Sequence, residues 1–293
     1  MPKPDYAFVL GTGRCGSTLV HEVLARHPDV GFLSNVEDVF PGLRMPGRPN
    51  DILFRGAPPS LSARRRLRYG PSEGYRVLDR SVSPIISQSF RDLTASDATP
   101  WLAERVTRFF GSRARAQGRR LFLHKFTGWP RARFLHHVFP EARFIHVIRD
   151  GRAVANSGLQ MPWFDYAGPM SWRWGPLPAE YADEWERSDR SYVVLAGIAW
   201  KMLMDAFEET QKCIHDDLWM EVRYEDLVSD PRTSFTELLR FLGLEWDRPF
   251  EARFARHRFS STRREAWRQD LSPEDVALLD RSLSDHLHRH GYS

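Results

Sequence analysis

The chain has few cysteines, few lysines and no long apolar run. Its two thiols are Cys15 and Cys213, in 293 residues. Two cysteines build no disulfide framework, so the expected setting is a reducing cytoplasm. The longest apolar run, Tyr192 to Trp200, stops at Lys201. Spanning a bilayer takes about 20 apolar residues, so no membrane span is expected. Mean hydropathy is −0.48. The opening Met-Pro-Lys-Pro-Asp has no n-region, h-region or cleavage site of a secretory signal. Hydrophobic residues make up 42% and charged residues 27%. That balance excludes a mostly disordered, collagen-like or coiled-coil chain.

Only four lysines are present (Lys3, Lys125, Lys201 and Lys212), so 38 of the 42 basic residues are arginine. Arginine suits bidentate phosphate recognition. The net charge of +4 fits an anionic ligand in a cleft as well as it fits nucleic acid. Against nucleic acid, no helix-turn-helix pattern is present, nor aromatic and basic residues interleaved on a strand face.

Apolar runs and helical periods alternate along the chain. Tyr6–Leu10, Leu121–Phe126, Arg143–Ile148 and Leu218–Arg223 read as buried strands. Helices are expected over Thr18–Arg26, Pro100–Arg115, Pro130–Phe139, Asp150–Ser157, Ser191–Cys213, Pro231–Leu242 and Pro273–His290. Residues 41–76 read as a long irregular connection. Residues 158–190, with Trp163, Trp172, Trp174 and Trp185, read as neither strand nor regular helix and as a lid. No linker separates two cores. The expectation is an α/β fold, a single domain over residues 1–293. Its central parallel sheet carries helices on both faces. His286, His288 and His290 read as a solvated terminus, and Arg64–Arg66 with Arg68 as a solvated loop.

Two motifs carry chemistry. Gly11-Thr-Gly-Arg-Cys-Gly-Ser17 follows the first strand and leads into a helix. It is a P-loop-like turn, in which the backbone N–H groups of Gly13, Arg14, Cys15, Gly16, Ser17 and Thr18 face an anion. A nucleoside triphosphatase loop ends Gly-Lys-Ser/Thr, and here no lysine enters the loop. The second motif sets Arg149 at a strand end and Ser157 eight residues later across a helix. Both reach one phosphate if strand end and helix share a cleft. Lys125 ends an apolar strand, where an unpaired cation is costly.

Together these motifs resemble the sulfotransferases that use 3′-phosphoadenosine 5′-phosphosulfate (PAPS), in particular the bacterial small-molecule and tyrosylprotein branches. Phe139-Pro-Glu-Ala-Arg-Phe-Ile145 and Arg223-Tyr-Glu-Asp-Leu227 extend the resemblance. It implies in-line transfer of a sulfonyl group from PAPS to a hydroxyl acceptor, releasing 3′-phosphoadenosine 5′-phosphate (PAP), with no metal. It places the phosphosulfate on residues 13–18 and the 3′-phosphate on Arg149 and Ser157. Tyr224 and the stretch with Ser261, Arg263, Arg264 and Trp267 close over the nucleotide. Arg14 and Lys125 stabilise the leaving oxygen. Glu37 is the expected base, with Asp38 and His124 as rivals. Glu37 stands two or three positions later than the carboxylate of the tyrosylprotein pattern. Cys15 stands where the family usually has serine. The Trp-rich stretch points to an apolar or aromatic acceptor. The alternatives are a P-loop kinase or nucleotidase using ATP, and a non-catalytic basic binding module.

Overall fold

The computed structural model describes residues 4–56, 69–88, 90–161 and 174–292. Five strands form one parallel sheet in the order β2-β3-β1-β4-β5. They are β1 (Asp5–Leu10), β2 (Val30–Phe32), β3 (Leu121–Lys125), β4 (Arg143–Ile148) and β5 (Trp219–Arg223). β1 is central, with Phe8 opposite His124 on one side and Phe144 on the other.

The strands are apolar on both faces because helices cover both. Phe8, Phe122 and Phe144 point to one side and pack with Phe110, Phe126 and Phe139. Ala7, Val9, Leu123, Ile145 and Val222 point to the other, against Val20, Val23, Phe235 and Leu238. Strict alternation between two buried faces is what a doubly covered parallel sheet requires. A third layer joins the helices Gly151–Leu159, Tyr192–Gln211 and Pro273–Arg289 through Val154, Trp200, Met204, Leu279 and Leu283.

β2 and β3 lie on one side of β1, and β4 and β5 on the other. Loops leaving β1 and β4 therefore diverge at the carboxyl edge of the sheet, where a crevice opens in such folds.

Three local expectations need correction. Residues 158–190 contain a regular helix, Ala179–Arg187. Only Tyr181 and Trp185 anchor it, one turn apart among charged residues, so its apolar period is weak. The rest of the expected lid at 162–173, with Trp163 and Trp172, lies outside the described residues, as do Arg64–Arg66 and Arg68. Pro130 does not open its helix, which begins at Ala132 after a left-handed Arg131. The terminal histidines are not a solvated set. His286 is buried, with Nε2 2.8 Å from Asp205, and His290 Nε2 lies 3.0 Å from Glu208. The helix Pro273–Arg289 docks on Tyr192–Gln211 through that face, and His288 is exposed.

Phe8 touches the rings of Phe110, Phe126, Phe139 and Phe144. Phe8→Ala should lower unfolding stability by about 3–5 kcal/mol. Urea denaturation reads this as a lower midpoint at unchanged slope.

Candidate active site

The loop after β1 turns through left-handed backbone. Gly13 has φ 84°, Arg14 φ 58° and Gly16 φ 99°. A side chain at Gly16 is barred twice, since a Cβ there would sit 2.4 Å from the Tyr224 ring. α1 (Ser17–Leu24) starts immediately after, so its free N–H groups and the loop amides converge on one point.

Three arginines meet beside that point. Arg149, at the end of β4, donates from Nη1 to the Arg14 carbonyl at 3.0 Å, and from Nη2 to the Arg263 carbonyl. Its guanidinium lies 4.4 Å over the Tyr224 ring. Arg14 Nε donates to Ser157 Oγ at 2.9 Å. Among the described residues, none of Arg14, Arg149 and Arg263 forms an ion pair with a carboxylate. Burial first, then repulsion from Arg149 and Arg263, holds the Arg14 pKa below its ordinary value. Asp270 feels Arg263 only at longer range, so the site stays positive, which suits a multiply charged anion.

These groups line a cleft of about 890 Å³. Gly13, Arg14, Gly16, Ser17, Thr18, Lys125, Arg149, Ser157, Tyr224, Arg263 and Trp267 all border it. Three residues expected beside the nucleotide do not: Cys15, Ser261 and Arg264. The Cys15 side chain is buried in the core on the far face of the sheet, so only its backbone N–H remains for a ligand. Ser261 borders a separate shallow depression with Thr262 and Arg264, and Ser260 takes its place in the cleft.

Lys125 is paired after all. Its Nζ donates to Thr18 Oγ1 at 2.7 Å and lies 2.7 Å from a Glu73 carboxylate oxygen. Thr127 Oγ1 donates to the same oxygen at 3.3 Å. The segment carrying Glu73 is held on the end of β3, because the Thr127 N–H donates to the Tyr75 hydroxyl at 3.1 Å. Reading the sequence missed Glu73, which sits in the Pro- and Gly-rich connection that has no period to locate it.

Glu37, the expected base, does not reach the cleft. It is wholly buried and closes a capping box on the short helix Asn35–Val39. Its carboxylate accepts from Ser34 N at 3.0 Å, Ser34 Oγ at 2.9 Å and Met45 N at 3.3 Å, and Arg113 lies 3.5 Å away. Ser-x-x-Glu is itself the capping-box signature, and that signal was available at Ser34. The rivals fare no better. Asp38 accepts from Val77 N at 3.1 Å outside the cleft. His124 is fully buried, and burial followed by Lys125 and Arg113 drives its pKa down to about 3.

A left-handed glycine turn at a helix N-terminus, three arginines without a carboxylate ion pair among the described residues, and one lysine form a positively charged cleft on a parallel α/β sheet. The general model of the sulfotransferase family matches residues 5–248, and the chain belongs to that family. It is 25% identical over 174 residues to the omega-hydroxy-beta-dihydromenaquinone-9 sulfotransferase Stf3 of Mycobacterium bovis and of Mycobacterium tuberculosis. That match covers 55% of this chain and 38% of the relatives' length. Among solved structures, sulfotransferase STF9 from Mycobacterium avium aligns with a TM-score of 0.62 at 18% identity, covering 100% of this chain and 78% of that one. The sulfotransferase domain of the Synechococcus PCC 7002 olefin synthase aligns at 0.52 and 21% identity, covering 96% and 95%. These structures share the fold.

Burial raises the Glu37 pKa above its ordinary value, against the pull of Ser34 and Arg113. The folded carboxyl therefore holds its proton more tightly than the unfolded one, and its contribution to stability falls as pH rises through the raised value. Glu37→Gln should flatten that pH dependence of unfolding and leave PAP binding unchanged. Urea titrations at several pH values and a PAP titration check both.

Proposed function

We propose that the chain, as one domain over residues 1–293, transfers a sulfonyl group from PAPS to a hydroxyl acceptor and releases PAP. The observation that carries this reading is the cluster of Arg14, Arg149 and Arg263 without a carboxylate partner among the described residues. Family membership alone does not name the donor, and this cluster favours a nucleotide with two separated phosphate groups. The loop amides of residues 13–18 and the Thr18 hydroxyl would hold the 5′-phosphosulfate. Arg149 and Ser157 would hold the 3′-phosphate, with Tyr224 and Trp267 beside the nucleoside.

The fit is chemical as well as spatial. Transfer leaves charge on the bridging phosphate oxygen, and donors fixed there lower the barrier most. Arg14 is anchored by Ser157, and Lys125 by Thr18. Lys125 is a compact donor that can follow an oxygen as its charge grows, whereas the guanidinium is a rigid fork.

The acceptor in this reading carries its hydroxyl on an apolar body. Leu19, Tyr75, Trp174 and Leu203 supply the apolar border of the cleft. Trp174 lies against Gly128, where an added Cβ would be 2.5 Å from its ring. The relative named above acts on a hydroxylated dihydromenaquinone, which has the same character. Among the described residues, no helix is long and apolar enough to cross a membrane.

Thermal unfolding with PAP, AMP, and ATP with magnesium tests the donor. PAP at about 100 times its Kd should add about 2.7 kcal/mol of stability. AMP should add much less, and magnesium should not be needed. Arg149→Ala should erase the advantage of PAP over AMP. A shift seen only with ATP and magnesium would replace this reading with phosphoryl transfer.

A further inference from the structure

The reaction needs a group to take the acceptor's proton, and the carboxylate placed by sequence order lies outside the cleft. Among the described residues that border the cleft, Glu73 is the one carboxylate, and no histidine borders it. Its side chain is 30% exposed, so it is open to an incoming hydroxyl without being loosely held. One oxygen is fixed between Lys125 Nζ at 2.7 Å and Thr127 Oγ1 at 3.3 Å. Tyr75, two residues on, is tied to the backbone of Thr127. The carboxylate is therefore positioned by β3, the same strand that positions the lysine.

The order of groups across the cleft is what gives this carboxylate a role. Thr18 stands in the first turn of α1, Lys125 Nζ donates to Thr18 Oγ1, and the same Nζ lies against the Glu73 carboxylate. A nucleophile attacking sulfur in line must arrive opposite the leaving phosphate oxygen. A carboxylate that borders the same cleft and is partly exposed is available to such a nucleophile. Lys125 also faces Glu73 as a counter-charge. His124, the other titratable group on this end of β3, is held neutral by burial and by Lys125.

We propose that Glu73 is the general base of the sulfonyl transfer. This rests on the donor reading above. The acceptor O–H gives its proton to the free carboxylate oxygen of Glu73 as its oxygen bonds to sulfur. The bond from sulfur to the bridging phosphate oxygen breaks, and its electron pair stays on that phosphate, where Lys125 and Arg14 meet it. The products are the sulfate ester and PAP, and Glu73 returns its proton to solvent.

The test compares wild type, Glu73→Gln and Glu73→Asp with three nucleophiles. Water is the first, read as PAPS hydrolysis, 1-dodecanol is the second, and 4-nitrophenol, which ionises unaided near neutral pH, is the third. Glu73→Gln should lower the water and alcohol rates about 10²–10⁴-fold. It should lower the 4-nitrophenol rate far less, and leave the PAP thermal shift in place. Glu73→Asp should restore part of the rate. An equal loss with all three nucleophiles would make Glu73 a positioning residue for Lys125 and overturn the proposal. So would a hydrolysis rate within twofold of wild type in Glu73→Gln, or wild-type hydrolysis no faster than in buffer. Absence of a PAP shift in wild type would instead remove the donor reading on which the proposal stands.

Discussion

One guanidinium holds the site together. Arg149 bonds to the carbonyl of Arg14 in the loop after β1 and to the carbonyl of Arg263 in the late basic stretch, and it rests on Tyr224. Three segments far apart in sequence are thus fixed by a cation that uses carbonyls as acceptors. A carboxylate in the same place would bond as well but would cancel the charge. Carbonyls orient the guanidinium and leave its field for an anion.

The rest of the fold maintains that arrangement. Parallel strands bring the ends of β1, β3 and β4 to one edge, so the loop, Lys125 and Arg149 need no long excursions to meet. The edge is tightly packed. Gly16 lies against Tyr224, and a side chain at Gly151 would sit 2.6 Å from the Trp200 ring. Behind it, Asp150 caps the helix Gly151–Leu159, and its own N–H donates to Glu225 at 3.2 Å. Glu225 also accepts from Tyr292 at 3.2 Å, so the C-terminal residues brace the helix that carries Ser157.

Much of this was legible in the order of residues. Four strands, the long helices, the glycine turn and the cost of a lone strand lysine all follow from runs, periods and charge, whereas Arg149 with Ser157 stood out through the family resemblance. What escaped had weak local signals. β2 is three residues long, too short for any alternation to register. Glu73 lies in irregular chain, and its place is set by contacts with β3 that are remote in sequence. Glu37 misled because two roles share one pattern. A glutamate three residues after a serine can serve chemistry or close a helix, and only burial separates them. The terminal histidines misled in the opposite sense, because their partners Asp205 and Glu208 sit on another helix.

The two thiols divide cleanly. Cys15 is fully buried, and an added Cβ at Gly11 would lie 2.4 Å from its sulfur, so the thiol fills a space that only glycine leaves open. Cys213 is exposed beyond the helix Tyr192–Gln211 and does not border the cleft. The folded chain therefore offers a single addressable sulfur. A dye or a surface tether can be attached there without mutagenesis, and the glycine loop after β1 keeps its native chemistry.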